Sequence, residues 1–382
     1  MLKTLNSNSK TPVYLYDLEL LRNTLNALTD ASANPSYRVH YAMKANANPM
    51  ILAQIKEAGL GVDTVSGGEI RRAIEAGFAP KSIVFAGVGK TDEEIQYALS
   101  IGIGCFNVES LPELINISEI ASQLGVVAPI ALRVNPNIDA HTHHYITTGL
   151  SENKFGIDLR QLDAVVDKAR ELPGIDLQGL HFHIGSQVTI AEPFRILSQR
   201  INELQTSFEK RGVTFRSINV GGGLGIDYDN PQVNPIPDFK SYFDAFSELQ
   251  LREGQELHFE LGRAIVGQCG TLLTKVLYVK EGVDKTFAIV DAGMTELIRP
   301  ALYGALHHIV NLSNPQGAER LYDVVGPICE SSDTFATDLT LPEVRRGDLL
   351  RIFSAGAYGE TMASQYNSRQ LPSSIRLSEF EG

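Results

Sequence analysis

Val39-His40-Tyr41-Ala42-Met43-Lys44 is a short apolar run, and Pro49–Gly59 behind it has helical period and ends in glycine. The couplet then repeats. Gly61–Ser66 is followed by the helical Gly68–Gly77, Ser82–Gly87 by Thr91–Gly102, and the terminal glycines are common helix stops. Further strand-like runs are Gly104–Glu109, Ile130–Asn135, Gly179–Ile184, Ser217–Gly222 and Leu257–Gly262, with Leu159–Leu172 among the helical segments between them. Eight short strands alternating with helices predict an α/β fold of the (β/α)8 barrel type over residues 30–265.

Outside that span the pattern changes. Cys269–Lys280, Lys285–Asp291, Arg320–Val325 and Asp348–Phe353 read as strands with little helix between them. Pro12–Asp17 is strand-like and Leu18–Leu28 helical. The expectation is a discontinuous, mostly β domain of sandwich or barrel-like form, made of residues 1–29 and 266–382 and joined by the N-terminal strand. Pro136–Phe155, polar and rich in His and Thr, predicts a long loop after the fifth barrel strand.

Composition narrows the function classes. Of 382 residues, 43% are hydrophobic and 20% charged, which is globular and excludes dominant disorder. A net charge of −12 argues against nucleic acid and against an anionic membrane surface. No apolar run is long enough to span a bilayer, and Met1–Asn8 lacks an apolar signal core, so a cytoplasmic location is expected. Three cysteines, Cys105, Cys269 and Cys329, form neither a disulfide framework nor a zinc spacing.

The C-terminal strand ends carry the chemistry in such a barrel. Here they present Lys44, Asp63 with Glu69 beyond it, Arg133, His183 with Ser186, Gly221-Gly222-Gly223, and Glu260-Leu261-Gly262-Arg263. A lysine can bind a carbonyl as a Schiff base, a glycine turn can cradle phosphate, and a carboxylate can face a ring nitrogen. These are the three requirements of pyridoxal phosphate. Each has an ordinary reading too: a surface lysine, a plain turn, a packed core histidine. Their joint placement favours the cofactor. Cys105 and Cys269 read as small buried hydrophobes. His141, His143 and His144 read as a polar loop and not a metal site, so no metal is expected. His307 and His308, after a helical Arg299–Leu306, read as structural.

The chain resembles the fold-type III, pyridoxal-phosphate-dependent decarboxylases of basic amino acids, and within them the branch acting on diaminopimelate. The motifs that carry this are Tyr41-Ala42-Met43-Lys44-Ala45-Asn46, Val65-Ser66-Gly67-Gly68-Glu69, His181-Phe182-His183-Ile184-Gly185-Ser186-Gln187 and Gly221-Gly222-Gly223-Leu224-Gly225. Further on come Arg299-Pro300-Ala301-Leu302-Tyr303-Gly304, Gly326-Pro327-Ile328-Cys329-Glu330 and Gly356-Ala357-Tyr358-Gly359. Glu152-Asn153-Lys154-Phe155-Gly156 is similar to the diaminopimelate branch.

The resemblance implies that Lys44 holds the cofactor and His183 stacks on its ring. Ser186, Gly221, Gly222, Gly223, Gly262 and Arg263 would bind its phosphate side and Glu260 its ring nitrogen, with Asp63, Glu69, Arg133 and Tyr358 completing the surroundings. Cys329 would return a proton. Arg263, Arg299, Tyr303, Glu330 and Tyr358 would grip the substrate. It also implies a homodimer whose active sites are shared, with Cys329 and Glu330 coming from the other subunit.

A carboxylate at Glu260 keeps the ring nitrogen protonated and suits decarboxylation, whereas related racemases place an arginine there. The expected reaction turns meso-2,6-diaminopimelate into L-lysine and carbon dioxide, the last step of lysine biosynthesis. Carboxynorspermidine, ornithine or lysine remain alternative substrates. A third reading, an inactive binding paralogue, is disfavoured because Lys44 and Cys329 are both present. Leu261 departs from the proline usual at that position, which would stiffen the turn.

Overall fold

In the computed structural model, residues 10–138 and 154–381 are described. His141, His143, His144 and most of the Pro136–Phe155 loop lie outside them. The chain divides into two compact units. One comprises Leu25–Gly225 and Asp238–Gly262, the other Met1–Thr24, Ile226–Pro237 and Arg263–Gly382. Ile226–Pro237, inside the barrel span as read from the sequence, groups with the second unit.

The first unit is the expected barrel. Its strands are Tyr37–Ala42, Gly61–Thr64, Ile83–Phe85, Cys105–Val108, Ala128–Asn135, Ile175–His181, Ser217–Asn219 and Glu256–Leu261. Each pairs in parallel with the next, and Leu257 opposite Tyr37 closes the ring. Parallel strands covered on both sides need apolar residues throughout. Val62, Ile83, Phe85, Phe106, Ile130, Leu132, Leu180, Ile218 and Phe259 are all fully buried.

The helices start where the sequence supplies side-chain caps. Asn48 accepts from Met50 N–H ahead of Pro49–Glu57, and Ser66 accepts from Glu69 N–H ahead of Gly67–Glu75. Thr91 and Glu94 cap each other reciprocally ahead of Asp92–Ile101, and that helix ends at Gly102 with φ 70°. These short strand–helix connections leave the C-terminal strand ends in one layer.

The second unit is built on an eight-stranded mixed sheet. As expected, the N-terminal strand belongs to it. Val13–Tyr16 lies antiparallel to Gly270–Glu281, with Val13 opposite Leu273. Three strands were not legible in the sequence: Ile309–Asn311, Thr334–Pro342 and Ser373–Arg376. Ser373–Arg376 runs parallel to Val13–Tyr16, so the short tail completes the sheet edge. The helical stretch read as Arg299–Leu306 stops at Tyr303, because Gly304 takes the left-handed conformation with φ 61°. Among the described residues no helix is long and apolar enough to cross a membrane.

Candidate functional site

A pocket of about 350 Å³ in the barrel unit is lined by Lys44, Asp63, Arg133, His181, His183 and Glu260, with apolar walls from Val65, Ala86, Val88 and Phe155. Five of the residues singled out in the sequence therefore share one cavity. Lys44 sits in the single turn Met43–Ala45 that follows the first barrel strand. Its Nζ lies 2.9 Å from Asp63 Oδ2, and the Asp63 side chain is fully buried. Burial and the nearby Glu260 carboxylate raise the Asp63 pKa, against the pull of Lys44.

Glu260 is buried at the end of the eighth strand. Asn107 Nδ2 and Asn219 Nδ2 donate to its Oε1 at 2.9 and 2.7 Å, and His181 Nε2 contacts Oε2 at 3.0 Å. Burial alone would raise its pKa. The interactions with His181 and Lys44 outweigh that and hold Glu260 as an anion. His183 is driven the other way, toward the neutral imidazole, by burial and by Arg133 and Lys44. Gly222 N–H donates to His183 Nδ1 at 3.3 Å, which makes that nitrogen the acceptor.

Arg133 pairs with Glu109 at 2.6 Å and lies over the Phe155 ring, 4.7 Å from its centroid. Glu109 also accepts from Gly87 and Gly156 N–H at 3.2 and 2.9 Å, so one buried carboxylate ties three parts of the pocket wall.

The glycine turn is built for close approach. Gly221 and Gly223 have φ of 68° and 110°. Val188 N–H donates to Gly223 C=O at 2.8 Å and Gly225 N–H returns to Val188 C=O at 3.0 Å, which lays the Ser186–Gln187 turn beside it. Gly262 packs against the Lys44 turn, since an added Cβ would stand 3.1 Å from the Cβ atoms of Ala42 and Ala45.

Glu69, expected to support the ring environment, sits in the first turn of the helix Gly67–Glu75. Its Oε2 accepts Val65 N–H at 2.7 Å and closes its own turn, and it does not line the pocket. Sequence reasoning also passed over His181, Asn107, Asn219 and Glu109. The first was read only as part of a motif, Asn107 and Asn219 are inward strand positions, and Glu109 directly follows the strand Cys105–Val108; no local pattern marks these three.

The remaining candidates belong to the second unit. Arg263 and Arg299 are 5% and 6% exposed. Both face Tyr228, a residue not singled out beforehand, at 5.9 and 5.3 Å from its ring centroid, and Arg263 Nη1 donates to the Tyr228 hydroxyl. Tyr358 lies under Arg263 at 5.0 Å and Tyr303 under Arg299 at 5.9 Å. Arg299 Nε has no hydrogen-bond partner among the described residues. Burial, and Arg263 nearby, lower the pKa of Arg299, with the Tyr228 hydroxyl acting the other way.

Cys329 and Glu330 are exposed on the turn after the strand Glu319–Val325, where Tyr366 OH donates to Glu330 at 2.7 Å. Burial pushes the Cys105 thiol up to about 12 and raises that of Cys269 further, so neither is a ready nucleophile. His307 is structural, its Nδ1 lying 2.9 Å from Phe353 C=O. Among the described residues no His, Cys, Asp or Glu group is arranged for a metal.

The donor set fits pyridoxal phosphate. A lysine amine stands beside a proton acceptor, a buried anion can receive a ring N–H, a neutral imidazole and apolar walls suit a flat ring, and a positive-φ glycine turn suits phosphate.

Relatives agree with that fit. A diaminopimelate decarboxylase of Bacteroides thetaiotaomicron is 56% identical over 97% of this chain and 96% of its own length. The Vibrio cholerae enzyme of that name is 44% identical over 94% and 85%. The crystal structure of the Helicobacter pylori diaminopimelate decarboxylase in complex with L-lysine superposes with a TM-score of 0.92 at 41% identity, covering 97% of this chain and 93% of that one. Residues 19–267 match the pyridoxal-binding domain of the pyridoxal-dependent decarboxylases, and the chain belongs to that family.

Proposed function

We propose that this chain decarboxylates meso-2,6-diaminopimelate to L-lysine and carbon dioxide, the closing step of lysine biosynthesis. The observation that carries the substrate assignment is the pair of buried guanidiniums, Arg263 and Arg299, set around Tyr228. A buried cation is stable only when an anion or aromatic face compensates it, and a planar guanidinium matches a carboxylate. Ornithine and lysine have no distal carboxylate to offer. The names of relatives 41–56% identical to this chain support the same reading.

Pyridoxal phosphate, when bound, supplies the electron sink for the electron pair left at the substrate's α-carbon as carbon dioxide departs. The chain's residues provide the rest. Lys44 Nζ holds the cofactor and must lose a proton before it can attack a carbonyl. Asp63 Oδ2, 2.9 Å away, is the acceptor for that proton. Glu260 stays ionised and accepts from the ring nitrogen. His183 presents a neutral flat face. The Gly221–Gly223 turn with Ser186 binds phosphate. Arg263, Arg299, Tyr303 and Tyr358 orient the distal carboxylate, Glu330 the distal ammonium, and Cys329 Sγ returns a proton to the α-carbon.

Cys329 and Glu330 serve the site of a partner subunit, so the working enzyme is a homodimer. The exposed positions of these two side chains, on a turn free to meet a second copy, support that arrangement. Three free cysteines suit a reducing compartment, the cytoplasm. Growth tests the whole reading. A bacterium that cannot make lysine for want of this step should grow without lysine when given this chain, and should not when given Lys44→Ala. Failure of the unaltered chain to restore growth, despite soluble expression, would overturn it.

A further inference from the structure

Four barrel strands converge on the Glu260 carboxylate. Asn107 is one residue from the end of Cys105–Val108, and His181 and Asn219 end Ile175–His181 and Ser217–Asn219. Glu260 is one residue from the end of Glu256–Leu261. Inward side chains at equivalent heights of a closed barrel meet in one layer. The two oxygens of Glu260 are held unequally. Oε1 accepts both amides, at 2.9 and 2.7 Å, while among the described residues Oε2 has His181 Nε2 alone, at 3.0 Å. A carboxylate offers about four acceptor positions. With three taken, the open one lies on Oε2, where His181 is the donor among the described residues.

The Asn219 amide has another duty, since its Oδ1 accepts Gly221 N–H at 2.9 Å and so holds the glycine turn. His181 has no such second role. Its side chain is 1% exposed, and its Nδ1 is buried with no hydrogen-bond partner among the described residues. Burying an unsatisfied nitrogen is unfavourable, and a phenylalanine would fill the same space without that penalty. The bond at Nε2 is the feature that accounts for an imidazole here.

We propose that His181 is a positioning residue for the reaction. Its Nε2–H fixes Oε2 of Glu260 as the anionic acceptor for the cofactor's ring nitrogen, and thereby sets how strongly the ring withdraws electrons. Its role runs through Glu260, and the inference rests on the cofactor assignment but not on which amino acid is decarboxylated.

Two substitutions separate this role from packing. His181→Phe keeps a planar ring and removes the donor. His181→Gln keeps an N–H near the Nε2 position. In the cofactor-loaded enzyme, His181→Phe should lower kcat by about 10- to 100-fold, the scale seen when an outer partner of a ligating group is lost, with KM little changed. It should also shift the visible absorbance of the bound cofactor and the pH dependence of that band, a readout that needs no substrate. His181→Gln should recover the wild-type band and most of kcat. If His181→Phe does not fold, His181→Asn, whose amide reaches only the Nδ1 position, should show the same spectral shift. A wild-type spectrum and rate in the Phe or Asn variant would overturn the proposal. So would a Gln variant as impaired as Phe with an unshifted band.

Discussion

Lys44 Nζ and Asp63 Oδ2 are 2.9 Å apart, and the aspartate in that pair is fully buried while the lysine faces the pocket. Burial raises the Asp63 pKa, which brings its proton affinity closer to that of the amine beside it. The pair is a proton donor and acceptor matched by environment. Asp63→Asn removes the acceptor, so kcat should fall about 100-fold. The sign of the pH effect follows from the raised value. In the wild type, activity should fall as pH drops and Asp63 takes up a proton, and the Asn variant should lack that acid limb. A kcat profile from pH 5.5 to 8.5 checks both. An Asn variant with the wild-type rate and profile would remove Asp63 from proton transfer.

Arg299 lies against the rings of Tyr228 and Tyr303, and its Nε has no hydrogen-bond partner among the described residues. Arg299→Met should raise KM for diaminopimelate by the equivalent of about 2–5 kcal/mol, the cost of losing a buried charged partner. The bound cofactor's absorbance should not change, because Arg299 does not line the barrel pocket. Steady-state kinetics with parallel spectra decide this, and an unchanged KM would count against a role in gripping the distal carboxylate.

The glycine turn admits no side chain. A Cβ on Gly222 would stand 1.9 Å from the Glu260 backbone oxygen, a distance no relaxation of a flexible side chain can relieve. Gly222→Ala should therefore cost about 2 kcal/mol or more in stability, and should release the cofactor on gel filtration. Thermal melting and retained absorbance are the measurements. A variant with wild-type melting and full cofactor would show that the turn has slack.

The barrel was legible because its signals are local: apolar runs of strand length, helices with capping residues, glycines at helix ends. All eight strands appear where the pattern put them. The small strands Ile309–Asn311 and Ser373–Arg376 were not legible, because three or four residues carry no measurable period and pairing partners decide them. The same limit applies in the site. Lys44, His183 and Glu260 stand in recognisable motifs. Asn107 and Asn219 are ordinary strand residues whose meaning comes only from the carboxylate they reach across the barrel. Tyr228 lies in a segment that the alternation assigned to the barrel and that folds with the other unit.

A histidine pair gives the fold a pH response. His40 Nε2 and His258 Nδ1 are 3.0 Å apart inside the barrel unit, and both pKa values fall from 6.5 to about 4, chiefly through burial. Depressed values mean that their stabilising contribution is complete above pH 6.5 and is lost as pH falls toward 4. Each site is worth at most about 3 kcal/mol, and the shared hydrogen bond makes the total less than twice that. Urea midpoints between pH 7 and 4.5 should fall less steeply for His40→Gln than for the wild type. Equal slopes would mean that His40 is not part of the acid response.

Stereochemically resolved carbon dioxide release decides the substrate. Purified protein with pyridoxal phosphate would be offered meso-2,6-diaminopimelate, its L,L isomer, ornithine, lysine and carboxynorspermidine in turn. Release from the meso isomer alone, with lysine as the product, is the expected result. Release from ornithine, lysine or carboxynorspermidine, with none from the meso isomer, would overturn the substrate assignment.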